Sequence, residues 1–225
     1  MPAPPPLGDA DVLLRVRAVG LNFRDVLNVL GEYPGDPGPP GGDAAGVVGE
    51  APLAPHATFG LAHAPIASVA IAVTSFLGNK PSTLSFEQAC TLPVTWSTTH
   101  AAVERAGLCA GHAMIVQAAA GGVGLKAVEY AQWLHASPIG TGGRPHKHAQ
   151  LRATGVEASC SSRDGTAFST GATRLSVASR SDAVLNSLSL DLIATSFASL
   201  HEGGAFEEIG KRSIWASAHH LSLIH

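Results

Sequence analysis

The sequence predicts an α/β protein: a doubly wound parallel sheet of about five strands, and so incomplete, preceded by a smaller and mostly β domain. Three observations predict it. From Met114 onward, short apolar runs alternate with helical segments, and strict alternation places parallel strands beneath helices on both faces. Before Ser85 the apolar runs instead follow a two-residue period and are separated by Pro/Gly turns. The first strand of the later half also runs into a turn of Ala and Gly alone, followed by a helix.

The 225 residues allow one large domain or two small ones. Hydrophobic residues make up 45% and charged residues only 14%, well below the usual figure of about 25%, which excludes a disordered tail. With 14 basic and 17 acidic residues the formal charge is -3, so no basic surface exists for nucleic acid or an anionic membrane. Cys90, Cys109 and Cys160 are odd in number and far apart, which fits neither a disulfide framework nor a metal knuckle. A reducing, cytoplasmic compartment is expected. No run of 18 apolar residues and no secretory pattern in MPAPPP argue against a membrane.

Val12 to Val19 alternates apolar residues with Arg15 and Arg17, the period of a strand with one wet face. Asn22 to Leu30 places Phe23, Val26, Leu27 and Leu30 at helical spacing, and the EYPGDPGPPGG stretch after it predicts a rigid loop. Ala44 to Val48 and Ser68 to Val73 read as further strands. Ser85, with Glu87 and Gln88 behind it, opens a helical stretch. The later half reads as strand Met114 to Gln117, helix Val123 to Leu134, strand Pro138 to Thr141, helix Pro145 to Ala153 and strand Val156 to Cys160. A helix in Thr166 to Val177, strand Ala183 to Leu185, helix Leu188 to Leu200 and strand Gly204 to Ile209 complete it. The domains expected are 1–84, 85–212 and an irregular tail, 213–225.

Met114 to Val128 carries the strongest chemical signal: a strand, then Ala119-x-Gly121-x-x-Gly124, then a helix. This is the dinucleotide fingerprint with alanine at its first glycine position. Gly121 admits a pyrophosphate close to the main chain, the free N–H groups at the helix start, beside Gly122 and Val123, meet its charge, and Gly124 lets the helix lie tight on the strand. The plain alternative is a tight turn without a ligand. Where NAD enzymes carry an acid about 20 residues on, GTGGRPHKH supplies Arg144 and Lys147 instead, which suits a 2'-phosphate and favours NADPH. A solvated helix start is the alternative for both cations. Asn186 and Ser187 end a parallel strand, where ligands collect, though both are ordinary turn residues. His146 with His148 and His219 with His220 lack the spacing of a helical metal pair and read as surface residues.

Asn22 to Leu27 (NFRDVL), GEYPGDPG, Gly42 to Val48 (GDAAGVV), LSFEQA, LPVT, AAAGGVG, VLNSL and Ile209-Gly210-Lys211 occur in one order from about Asp11 to Lys211. In that order they resemble the enoyl reductase domains of modular polyketide synthases and animal-type fatty acid synthases. These belong to the zinc-free quinone oxidoreductase branch of the medium-chain dehydrogenase/reductases. The resemblance implies a partial GroES-like substrate domain and a Rossmann-type NADPH domain. It also implies reduction of an enoyl thioester held on an acyl carrier phosphopantetheine, beside other synthase domains. By position, Asn22 would sit beside the nicotinamide, Thr98 would line its pocket, Tyr33 is a proton-donor candidate and Lys211 matches the family lysine that assists protonation.

Alternatives stay open at each position. Asn22 is equally a helix cap, Tyr33 a loop anchor, Lys211 a strand end in water, and Thr95 or Ser97 could replace Thr98. Zinc-dependent relatives carry Cys at the position of Asn22 and Gly-His-Glu at Gly42-Asp43-Ala44, so no metal is expected. The chain departs from the family in the short stretch Gly49 to Thr58 and in ending before the segment with the lysine's aspartate partner, which suggests a piece of a larger synthase. A free-standing NADPH:quinone reductase and a catalytically silent module are the competing readings.

Overall fold

The structure, a computed structural model, describes residues 8, 10–33, 35–36, 38–49, 55–156, 158–162, 166, 168, 170–171, 180–188 and 192–210. Its contacts divide the chain into two compact units, Met1–Thr95 and Trp96–His225. The division lies about ten residues beyond the composition change at Ser85, because Phe86, Ala89 and Cys90 pack with Ala18, Ala45 and Phe59 in the first unit's core.

The first unit holds β1 (Asp11–Gly20), α1 (Phe23–Val29), β2 (Asp43–Val48), β3 (His56–Leu61), β4 (Val69–Val73), β5 (Leu77–Asn79) and α2 (Phe86–Ala89). Its strands form one antiparallel sheet in the order β4-β1-β2-β3-β5. On β1, Leu14 is fully buried while Arg15 and Arg17 are exposed, as the two-residue period requires. Strands β3 and β5 escaped the sequence reading. In HATFGL the inward positions are Thr58 and Gly60, so no apolar alternation announces it; a Cβ on Gly60 would stand 2.0 Å from the Phe76 carbonyl oxygen. Ser85 caps α2 as expected, its hydroxyl accepting from the Gln88 N–H at 3.1 Å while the Gln88 side chain accepts the Ser85 N–H in return.

The second unit continues with β6 (Ala113–Val116), α4 (Gly122–Trp133), β7 (Ser137–Gly142), α5 (Pro145–Ala153), β8 (Ala158–Ser161), β9 (Ser181–Asn186), α6 (Ile193–Ala198) and β10 (Leu200–Glu208). Helix α3 (Pro93–Ala106) contains the point of division. The five strands pair in parallel in the order β10-β9-β6-β7-β8, a doubly wound arrangement. Met114, Val116, Ala127, Val128, Ala131, Leu151 and Leu185 form the larger core; Ile115, Phe168 and Val184 anchor a second.

One omission and one expectation need correction here. Helix α3 was unread: its buried positions, Thr95, Thr99, Ala102 and Val103, do keep a helical period, but Thr and Val are weak helix formers and hide it. The helix expected over Leu188 to Leu200 is shorter, because Leu200 instead pairs with Ser181 as the first residue of β10. Thr166, Phe168, Thr170 and Gly171 are helical where a helix was expected, and the rest of that segment lies outside the described residues. Lys211 and the tail 213–225 also lie outside them. Among the described residues no helix is long and apolar enough to cross a membrane.

Candidate functional site

In the second unit β6 delivers the chain into the turn Gln117 to Gly121, and α4 starts at Gly122 with Gly121 as its cap residue. Gly121 has no side chain to cap with, so the cap position leaves the first-turn N–H groups of this twelve-residue helix open. A Cβ on Gly124 would stand 2.6 Å from both the Ala118 oxygen and the Ala119 Cα, main-chain atoms that cannot give way. Glycine there is what lets helix and strand touch. Ala119 replaces the first glycine of the fingerprint without cost, since it is fully buried and faces Gly140 on β7, which offers it room.

The end of β7 leads to Arg144, the exposed cap residue of α5, and to Lys147, half-buried in that helix's first turn. No acidic residue occupies that turn, and neither cation has a carboxylate partner among the described residues. An unneutralised cation at a helix start is mildly unfavourable unless an anion arrives. His148 departs from its expected surface role: it is half-buried, and its Nδ1 lies 2.9 Å from the Ser159 hydroxyl.

At the end of β9, Asn186 is fully buried and donates to Glu208 Oε2 at 2.7 Å and to the Leu188 carbonyl at 3.1 Å. Ser187 donates to the Gln117 carbonyl at 3.3 Å. Burial pushes the Glu208 carboxyl up against the opposing bonds from Asn186 and the Gly210 N–H. Both predicted residues therefore brace the strand ends around the turn.

The first unit has its own polar centre. Asn22 Nδ2 donates to Asp43 Oδ2 at 3.0 Å, and Asp43 Oδ1 accepts the Val94 N–H at 3.0 Å. Asp43 is 1% exposed, and desolvation lifts its carboxyl to about 6 despite those two bonds. Asn22, Arg24, Gly41, Gly42, His63 and Val94 line a cleft of about 420 Å³, with Asp43 bonded behind Asn22. Helix α1 tethers the glycine-proline loop to this wall. Asp25 accepts the N–H groups of Gly41 and Asn22 at 2.8 Å each, Arg24 donates to the Gly41 carbonyl, and Asn28 donates to the Gly38 carbonyl at 3.0 Å. Tyr33 is half-buried in the same loop.

No model of a protein family matches the chain. The spectinabilin polyketide synthase system protein NorB of Streptomyces orinoci is 41% identical over 218 residues, which cover 93% of this chain and 10% of NorB. The chain thus spans about a tenth of that relative. The crystal structure of CurK enoyl reductase superposes with a TM-score of 0.88 at 31% identity, covering 99% of this chain and 72% of CurK's. The chain belongs to the enoyl reductase family of polyketide synthases. The quinone oxidoreductase of Thermus thermophilus, solved also as its complex with NADPH, shares the fold at a TM-score of 0.77 and 26% identity, over 100% of this chain and 79% of that one.

Within this enoyl reductase fold, Ala119 and Gly121 lie in the turn and Gly122, Val123 and Gly124 open helix α4, with Ser187 bonded to the turn at the Gln117 carbonyl. Thr98 is half-buried in α3, and Lys211 lies outside the described residues. Sequence reasoning missed Arg24, Asp25 and Asn28 as loop anchors; polar side chains on a seven-residue helix gave no signal beyond their place before the glycine-proline run. It noted Asp43 only as the absence of a ligand. The structure makes it the acceptor that orients Asn22. Among the described residues no three His, Cys, Asp or Glu side chains gather as a metal-binding group.

Proposed function

We propose that the chain is an NADPH-dependent enoyl reductase domain of a larger cytoplasmic synthase. Its substrate would be the α,β-unsaturated thioester on an acyl carrier phosphopantetheine. The observation that carries this reading is the glycine turn with its side-chain-free cap residue, with Lys147, which has no carboxylate partner among the described residues, in the helix that follows the adjacent strand β7. The NADPH complex of a structural neighbour supports the choice of cofactor, and polyketide synthase relatives support the pathway class.

The turn fits a dinucleotide because it offers main chain where side chains would obstruct. The N–H groups of Gly122, Val123 and Gly124 would hold the diphosphate at the start of α4, and Arg144 with Lys147 would hold the 2'-phosphate. When bound, NADPH supplies a hydride for the β carbon of the substrate. Asn22, with Nδ2 fixed by Asp43, would orient the nicotinamide carboxamide, and Thr98 would line its pocket. Tyr33 and Lys211 are the residues proposed to provide the proton for the α carbon. No metal is assigned, because the positions of two zinc ligands in other relatives are taken by an amide and the carboxyl it bonds. The first unit would receive the acyl group and the second the nucleotide.

A fluorescence titration with NADPH tests the cofactor, and NADPH oxidation with crotonyl-pantetheine tests the reaction. We expect both to succeed and Lys147→Glu to weaken NADPH binding. Absent binding, or binding indifferent to that substitution, removes the basis of the reading. Turnover of soluble quinones without the thioester would make the protein a quinone reductase; binding without hydride transfer would make it a silent module.

A further inference from the structure

We propose that Gln117 and Thr141 are positioning residues for the nucleotide turn: their buried side chains hold Ala118 in a left-handed backbone conformation that sets the turn's shape. Ala118 has a φ of +49°, a region that an L-residue other than glycine occupies only under strain. Such a conformation persists where the surroundings dictate it.

Here they do so through one directed chain of hydrogen bonds. The Ala118 N–H donates to Thr141 Oγ1 at 3.0 Å. That hydroxyl, acting as acceptor there, gives its single proton to Gln117 Oε1 at 2.8 Å, and Gln117 Nε2 donates onward to Ser196 Oγ at 2.9 Å. Gln117 is 2% exposed, and Thr141 and Ser196 are fully buried, so water does not compete for the two bonds between these side chains. The main chain is fixed on each side as well: the Gln117 N–H donates to the Leu185 carbonyl of β9 and the Ala119 N–H to the Thr141 carbonyl of β7, each at 3.0 Å.

Between those two anchors the chain turns at Ala118, in its left-handed conformation. Its carbonyl then accepts the Gly121 N–H at 2.8 Å and packs against Gly124, which places the start of α4. A polar side chain at 117, where an apolar one would continue the strand's buried run, is costly to desolvate and is retained with both amide atoms bonded. The inference rests on the reading of this turn as the NADPH site.

A double-mutant cycle tests it on the full chain. NADPH dissociation constants are measured for the wild type, Thr141→Val, Thr141→Ser, Ala118→Gly and the pair Thr141→Val with Ala118→Gly. Thr141→Val should weaken binding about tenfold, a change of about 1.4 kcal/mol, and Thr141→Ser should restore it. In the Ala118→Gly background the same loss should shrink below about threefold, because glycine occupies the left-handed region without being held there. A loss of equal size in both backgrounds, or none in either, overturns the proposal, since a merely structural role would not depend on residue 118.

The ligand-free protein provides a second measurement. Hydrogen exchange of the Ala118 amide by NMR should accelerate at least tenfold in Thr141→Val and in Gln117→Leu, while the Leu151 amide in α5 exchanges unchanged. Unchanged protection at Ala118 overturns the proposal. If the wild type binds no NADPH, the cofactor reading fails, and the exchange result alone decides whether the side chains hold Ala118.

Discussion

In the antiparallel unit the polar side chain buried deepest at the candidate site is a carboxyl, Asp43; in the hydrogen-bond chain that ends at Ala118 in the parallel unit the buried polar side chains are the neutral Gln117, Thr141 and Ser196. Both sets are hydrogen-bonded, yet burial acts on them differently. Taking a carboxylate out of water penalises its charge, so Asp43 answers burial by holding its proton to about pH 6. An amide and two hydroxyls have no charge to lose and answer with geometry alone. Acidity should therefore tune the cluster at Asp43, and stereochemistry the hydrogen-bond chain that holds Ala118.

The largest effect should come from steric demand in the parallel unit. Gly124→Val would drive a side chain into the main chain of Ala118 and Ala119, and a loss of about 4 kcal/mol or more is expected in urea unfolding. Gly42→Ala in the antiparallel unit, where a Cβ would come no nearer than 3.8 Å to the Arg24 guanidinium, should cost less than about 1 kcal/mol. Similar losses from the two would end the contrast in packing.

Next comes pH. The folded value of Asp43, about 6, lies above its ordinary 3.8, so the fold favours the protonated acid. Its contribution is full below pH 3.8 and is lost as the pH rises through 6, a change of about 2 to 3 kcal/mol by linkage. Glu208, also raised by burial, adds the same sign. Asp182 opposes it: desolvation is outweighed there by the Ala113 N–H and by His112 and His201, and that stability is lost on acidification. Unfolding measured at steps from pH 4 to 7 should show a falling slope that Asp43→Asn flattens; equal slopes in both proteins would refute the assignment to Asp43.

A third comparison concerns cofactor choice. Lys147→Glu should reduce preference for NADPH over NADH about tenfold, roughly 1.4 kcal/mol, read as the ratio of dissociation constants. A preserved ratio would place the 2'-phosphate elsewhere. The smallest effect is expected at the rim of the same sheet, where Arg105 bonds Glu207 but is 67% exposed. Arg105→Ala should change stability by no more than about 0.5 kcal/mol, and a larger loss would mean that surface charge contributes more there than exposure allows.

The glycine turn was legible because its constraint is local: Gly121 and Gly124 are demanded by main-chain approaches within a few residues. Helix α5 was legible from Pro145 to Ala153 for a similar reason, as proline favours the first helical position. Strand β3 was not, since Thr58 and Gly60 meet β2 and β5, which are distant in sequence, and helix α3 was not, since its buried period runs through Thr95 and Thr99, weak helix formers. The Asn22 to Asp43 bond was hidden likewise, because 21 positions separate two residues that meet only when β2 pairs with β1.

Sequence alone determined the alternation that makes a parallel sheet, the turn without side chains and the cations beyond β7, because each depends on residue type and short spacing. Tertiary structure alone decided that Asp43 keeps its proton toward neutral pH, that Gln117 and Thr141 converge on Ala118, and that Asn186 turns to Glu208. Burial and hydrogen-bond direction are properties of how distant strands meet, and no local pattern contains them.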